Sequence, residues 1–229
     1  MTRSPALNQE IHYPDSDGQP ISDNTQQFNW IVTIKLGCEA LFKHDPNVFV
    51  AGDLLWYPVE GDNTIRAAPN TLVVFGRPKG DRGSYQQWKE DNIAPQVVFE
   101  ILSPGNTLVG MAKKFRFYER YGVEEYYLYD PDKGDFSGWL RAGDFLEVIE
   151  NPIGWVSPRL QVRFELVNGE LEIYRPDGEK FATYLELIEQ NLELVKQNQQ
   201  AQQQLEQERL RSNKLAAKLK ALGINPEDL

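Results

Sequence analysis

Apolar positions recur at three- and four-residue steps through QQFNWIVTIKLGCEALFKHDP, where Phe28, Ile31, Ile34 or Lys35, Cys38 and Leu41 or Phe42 fall on one stripe. This spacing predicts an amphipathic helix, opened by a capping residue among Asp23, Asn24 and Thr25 and closed before Pro46. The pattern then turns to β structure. NVFVAGDLLWYPVEG is rich in β-branched and aromatic residues, and PNTLVVFG forms a short strand between Pro69 and Gly76. PQVVFEILSPGNT holds a nearly continuous apolar run of strand length that only Glu100 interrupts. A second helix, TLVGMAKKFRFYERYG, ends at Gly122, and the aromatic strand EEYYLYDP follows it. Strand, helix and strand in succession favour an α/β (α+β) fold with a mixed central β-sheet flanked by helices. Further on, ELVNGELEIY reads as a hairpin turning at Asn168 and Gly169.

After RPDGEK the pattern changes once more. Phe181, Leu185, Ile188, Leu192 and Val195 alternate steps of four and three, a heptad-like stripe that predicts a projecting helix or coiled coil. Between Gln197 and Gln207 seven of eleven residues are glutamine, and the stripe resumes out of register at Ala201, Leu205, Leu215, Leu219 and Leu222. The predicted organisation is a polar arm over residues 1–25, a folded domain over 26–176 and a Gln-rich helical tail over 177–229. Residues 181–222 are expected to join a second copy or a protein partner, against the alternative of a solvated helix packed on its own domain.

Charge narrows the function. Lys and Arg number 24 against 34 Asp and Glu, a net charge of -10 that opposes general binding of polyanions unless positive charge is concentrated locally. Such a concentration exists in GRPKGDRGSYQQWK, where Arg77, Lys79, Arg82 and Lys89 alternate with Tyr85 and Trp88. That loop is expected to grip a DNA backbone, with an ordinary solvated loop as the competing reading. The single cysteine, Cys38, excludes an internal disulfide and a multi-cysteine zinc site, and His12 and His44 are too few for a His-rich one. A reducing cytoplasm is expected. No uncharged run approaches the ~20 residues that span a bilayer, so no membrane association is expected.

An ionised carboxylate inside an apolar strand is costly unless a cation or hydrogen-bond donors neutralise it, so Glu100 needs a partner. Alternation puts Gln96, Val98, Glu100 and Leu102 on one face of the strand. An edge strand with Glu100 facing water or an arginine remains open on this pattern.

The motifs resemble a known family. PQVVFEILSPGNT, followed by KKFRFYERYGVEEYYLYDP, is similar to the bacterial restriction-endonuclease family of the PD-(D/E)XK nuclease superfamily. The matching positions are Pro69 and Asn70, Glu100 to Pro104, Lys114 and Tyr118, Gly122 to Tyr126, and Asp130 with Pro131. The resemblance implies a phosphodiester hydrolase dependent on Mg2+ or Mn2+, with DNA as substrate and the site at the split end of the sheet. It further implies that Glu100 is a metal ligand, that Ile101 offers its carbonyl, and that Lys114 orients or activates the attacking water. Lys114 and Tyr118, four residues apart on one helix, are expected to share a face.

Two positions depart from the superfamily pattern. Leu102 stands where its lysine is usual, a departure the family shares by placing the lysine on the following helix. Asn70 stands where the family has aspartate, which removes one negative charge from the ligand set and predicts weak metal binding. Either Asp53, the nearby carboxylate in AGDLLWYP, or the Asn70 side-chain carbonyl is expected to complete the set, with turn chemistry as the other reading of Asp53, and Glu39 is a weaker candidate. The alternative function is a degenerate nuclease fold in which Glu100 and Lys114 form a structural ion pair and the tail serves binding or assembly.

Overall fold

The computed structural model describes residues 11–222. The chain divides between Ala182 and Thr183 into two units.

The first unit is built on a six-stranded mixed sheet. Its strands are β1 (Val48–Gly52), β3 (Thr71–Phe75), β5 (Val97–Ile101), β6 (Glu125–Asp130), β7 (Asp135–Ala142) and β8 (Phe145–Val148), and they lie side by side in that order. Only β5 and β6 run parallel, and α2 (Leu108–Arg120) makes the crossover between them. The other neighbours are antiparallel. Two short strands, β2 (Trp56–Tyr57) and β4 (Tyr85–Gln86), pair in parallel beside the main sheet. The last pair, β9 (Arg163–Val167) and β10 (Glu170–Tyr174), is the hairpin read from ELVNGELEIY. Asn168 and Gly169 both take positive φ, 53° and 83°, as a tight two-residue hairpin turn requires.

Each face of the sheet has its own core. On one, Ile31, Ile34 and Cys38 of α1 (Thr25–Leu41) pack on Val50, Val73, Phe99 and Tyr127, joined by Phe164 and Leu171 of the hairpin. On the other, Tyr118 of α2 packs with Leu72, Val74, Val98 and Tyr126. Strand alternation therefore commits Glu100, in phase with Val98, to the α2 side. That settles the question left open by the sequence: β5 is central, and Glu100 does not face water.

Asn24 is the residue that caps α1, accepting from the Gln27 N–H at 2.8 Å. The stripe on α1 differs from the expected one at its start. Phe28 is 44% exposed and Gln27 is buried instead. Thr107 caps α2, and Gly122 at φ 92° ends it.

Phe181 also departs from expectation. It is buried in the α1-side core, where its ring lies so close to Gly37 that a Cβ there would stand 2.1 Å from it. Phe181 is thus part of the folded domain and not the first residue of the tail stripe.

The second unit is the single helix α3 (Tyr184–Ala221), opened by a capping box in which Thr183 and Glu186 satisfy each other's backbone N–H. None of its residues is buried. Among the described residues, no helix is long and apolar enough to cross a membrane.

Candidate active site

β3 and β5 are paired only from Thr71↔Phe99 to Val73↔Val97, and beyond Thr71 they separate. At that fork the Asn70 side chain takes over from the ladder: its Oδ1 accepts the Ile101 N–H at 2.7 Å. The bond fixes the orientation of the amide, because only the oxygen can accept. The Asn70 NH2 group is therefore the part left for the cleft that Asn70 lines. An aspartate in the same pose would spend one oxygen on Ile101 and turn the other toward the cleft. Asn70 thus presents a donor to the cleft where the resemblance implies a metal ligand, and its carbonyl oxygen is engaged by the Ile101 N–H.

Glu100 is 2% exposed and answered from α2. Lys114 Nζ donates to Oε1 at 2.8 Å and to Oε2 at 2.9 Å, with a third bond to the Ala68 carbonyl at 3.2 Å. The Tyr118 hydroxyl, one turn along the same helix face, donates to Oε1 as well. Burial and the Glu100 charge beside it hold the Tyr118 hydroxyl well above the usual phenol range, so it remains a donor.

Asp53 follows β1 and lies in the same cleft, with φ at 49° and its N–H bonded to the Pro69 carbonyl at 3.1 Å. Its carboxyl is pushed up to about 6, chiefly by burial, then by Asp17, with Glu100 adding to the rise and Lys114 opposing it. Asp53 therefore senses the nearby Glu100 as a like charge.

The cleft has a volume of about 440 Å³. One wall comes from the polar arm, through Asp17, Asp23 and their neighbours. Pro14 accepts from the Tyr57 hydroxyl at 2.7 Å, and the Tyr13 ring meets Tyr57 edge-on and Trp88 at a tilt. Asp23 accepts from Ser103 just after β5. Sequence alone marks this segment only as a polar arm, since nothing in YPDSDGQP signals a fold partner forty or more residues away. Gln27 was also missed. Its amide nitrogen donates to the buried Ile101 carbonyl at 2.8 Å, so one lone pair of that expected metal ligand is already used. A polar residue four positions before Ile31, on the inward stripe of α1, was the available signal.

These residues fit one weakly held hard cation. Mg2+ takes one or two carboxylates and fills its other positions with water and substrate oxygens, and Asp53 with Glu100 supplies two whose mutual repulsion a cation would relieve. Against tight binding, Lys114 already balances Glu100 and Asn70 offers nitrogen. No group of three or more His, Cys, Asp or Glu is arranged to hold a metal among the described residues.

The basic loop differs from its expected role. Arg77 and Arg82 converge on Glu90, at 2.8 and 2.7 Å, Arg77 also meets Asp91, and Arg82 stacks 3.9 Å over the Phe49 ring. Their charges are answered by acids of the same loop. Tyr85 is fully buried, its hydroxyl donating to the Ile93 carbonyl, so it offers no stacking face. Among the described residues Lys79, bonded to the neutral Phe42 carbonyl at 2.6 Å, and Lys89 form no ion pair, so these two of the four loop cations keep an unbalanced charge. Glu39 pairs with Lys35 on α1 and lies outside the cleft.

Residues 2–156 match the model of the Uma2 family, described as "Putative restriction endonuclease". Among solved structures, the chain is similar to a "putative nuclease belonging to DUF820" from Anabaena variabilis, at 18% identity and a TM-score of 0.46, over 60% of this chain and 75% of that one. No curated protein matches the chain.

Proposed function

Because the chain belongs to the Uma2 family of restriction-endonuclease-like proteins, we propose that its cleft hydrolyses DNA phosphodiester bonds with a weakly bound Mg2+ or Mn2+, and that Asn70 is what weakens the site. The observation that supports this is the placement of Glu100: a buried carboxylate at the fork of β3 and β5, held from α2 by Lys114 and Tyr118, facing Asp53 across an open cleft.

When bound to Glu100 and Asp53, a divalent ion supplies polarisation of the phosphoryl oxygen and stabilises charge on it. Tyr118 fixes the Glu100 carboxylate by donating to Oε1. Lys114 holds Glu100 and the Ala68 carbonyl with its three N–H donors and, partly exposed while Glu100 is not, acts on the cleft through its charge, which favours negative charge developing at phosphorus. It orients the attacking water by giving up one of those bonds. The Asn70 amide nitrogen adds a neutral donor there in place of a ligand. Arm residues Asp17 and Asp23 lie on the opposite wall, so a DNA strand must approach past two acids.

The test is nicking of supercoiled plasmid with Mg2+ or Mn2+. Slow nicking that Glu100→Ala abolishes and Asn70→Asp accelerates is the expected result, and cleavage that survives Glu100→Ala refutes the site.

The three bonds made by Lys114 and the amide orientation of Asn70 favour a second reading, a nuclease fold that has lost hydrolysis and serves assembly through α3. No cleavage by the natural chain, with activity restored by Asn70→Asp, selects it. Deleting residues 184–229, which spares Phe181, should then lower the number of chains per particle seen in sedimentation.

A further inference from the structure

Strand β1 ends the sheet, and its outer edge forms the floor of a second groove, of about 470 Å³, outside the cleft described above. Which of its backbone groups are free follows from the ladder. The Asn47 carbonyl accepts from Gly76 and Arg77 on the β3 side, at 2.8 and 3.1 Å, and the Asp53 N–H also points that way. Residues of the same parity, Phe49 and Ala51, turn their N–H and C=O toward β3. Val48, Val50 and Gly52 therefore turn theirs outward into the groove, at the two-residue spacing of an unfilled ladder. Their side chains leave that edge clear: Val48 and Val50 are buried in the core and Gly52 has none.

Two walls enclose this edge. α1 contributes Lys35 and Glu39, and the turn after it Lys43, on one side, and the loop from Lys79 to Arg82 rises on the other. The Lys35 charge is met by Glu39 and that of Arg82 by Glu90. Among the described residues Lys43 and Lys79 have no carboxylate partner, and the Lys79 bond to the Phe42 carbonyl places both at the Val48 end of the groove. A strongly acidic chain thus carries a local positive end on a free strand edge.

We propose that the edge of β1 is a docking site for an extended peptide strand of another protein, which adds to the sheet by backbone hydrogen bonds and places acidic residues at Lys43 and Lys79. A lone strand fits between the walls, whereas a second copy of β1 arrives with its own helix and loop attached and meets the same walls. Duplex DNA fits poorly as well, since backbone donors and acceptors at strand spacing form the floor and Glu39 and Asp81 line the sides. The site is independent of the hydrolytic reading, because neither Glu100 nor Lys114 lines it.

The probe is a short fluorescein-labelled peptide that opens with two glutamates and continues in alternating valine and threonine, read by anisotropy against the full-length chain. Binding should weaken about tenfold or more in the double variant Lys43→Glu with Lys79→Glu, and fall as salt rises. Gly52→Pro removes one outward N–H without removing a buried side chain and should abolish binding. Lys89→Glu, outside the groove, should leave it unchanged. Far-ultraviolet circular dichroism checks that each variant is folded. Equal binding of a peptide with lysines in place of its glutamates overturns the proposal, as does wild-type affinity in the lysine double variant or no binding at all. A dimer that Gly52→Pro dissociates would assign the edge to a second copy and overturn it too.

Discussion

Replacing Asn70 by aspartate exchanges one NH2 group for an oxygen. The Ile101 N–H keeps its acceptor, so the fork between β3 and β5 should hold, while a new charge enters a cleft that already contains Asp53 and Glu100. Like charges about 5 Å apart repel by about 3 kcal/mol at an effective dielectric of ~20. Lys114 offsets part of this, which leaves a net penalty of about 1–2 kcal/mol in metal-free buffer. For a domain of this size each kcal/mol shifts Tm by about 2–4 °C, so Asn70→Asp should melt roughly 2–8 °C below the natural chain in EDTA. A divalent cation reverses the sign. The same Coulomb term, doubled by the ion's charge and now attractive, should tighten binding by at least ~100-fold. At a metal concentration 100 times Kd, binding returns about 2.7 kcal/mol. Thermal unfolding of both chains in EDTA and in millimolar MgCl2 reads this directly. Equal melting in EDTA together with no greater response to Mg2+ would refute the orientation assigned to the Asn70 amide.

Three further outcomes test the surrounding structure. Lys114→Met leaves Glu100 buried without its cation and should destabilise the domain by about 3–5 kcal/mol in urea unfolding, with most of the loss restored by adding Glu100→Gln; a single variant within 1 kcal/mol of wild type, on the order of measurement error for such a buried pair, refutes it. The raised pKa of Asp53, about 6 against an unfolded value near 3.9, means the folded state binds this proton more tightly. Its contribution to stability therefore grows as pH falls from about 7 to about 4, and Asp53→Asn should raise Tm at neutral pH while flattening that part of the profile. A Cβ at Gly37 would stand 2.1 Å from the Phe181 ring, so Gly37→Ala should lower stability by about 1–3 kcal/mol, and an unchanged Tm would mean that the ring can move aside.

Much of the fold was legible because local signals agreed with one another. The β-branched runs, the Asn168–Gly169 turn and the Gly122 stop each carry a backbone requirement in one or two residues. Alternation put Glu100 on one face with Val98, and the spacing of Lys114 and Tyr118 put those two on one face of their helix, while a role for Lys114 beside Glu100 was implied only by the family resemblance. Long-range relations were not legible. Nothing in the spacing says that Phe181 returns to cover Gly37 or that Gln27 reaches the Ile101 carbonyl, because these contacts join segments far apart in the chain. The basic loop misled for a related reason. Arg77 and Arg82 read as free cations until the chain turns and brings Glu90 between them. Asn70 lines the cleft with Asp53, Glu100 and Lys114, but which end of its amide faces the cleft depends on a single backbone N–H across the fork.

That N–H gives Asn70 a second duty. It is the clasp at the point where two strands part, and most replacements would loosen the sheet whatever they did to hydrolysis. Asparagine and aspartate are the two side chains that close the clasp with the same length and shape. Position 70 can therefore act as a chemical toggle inside an otherwise fixed frame, exchanging ligand for donor while the architecture around it stays in place.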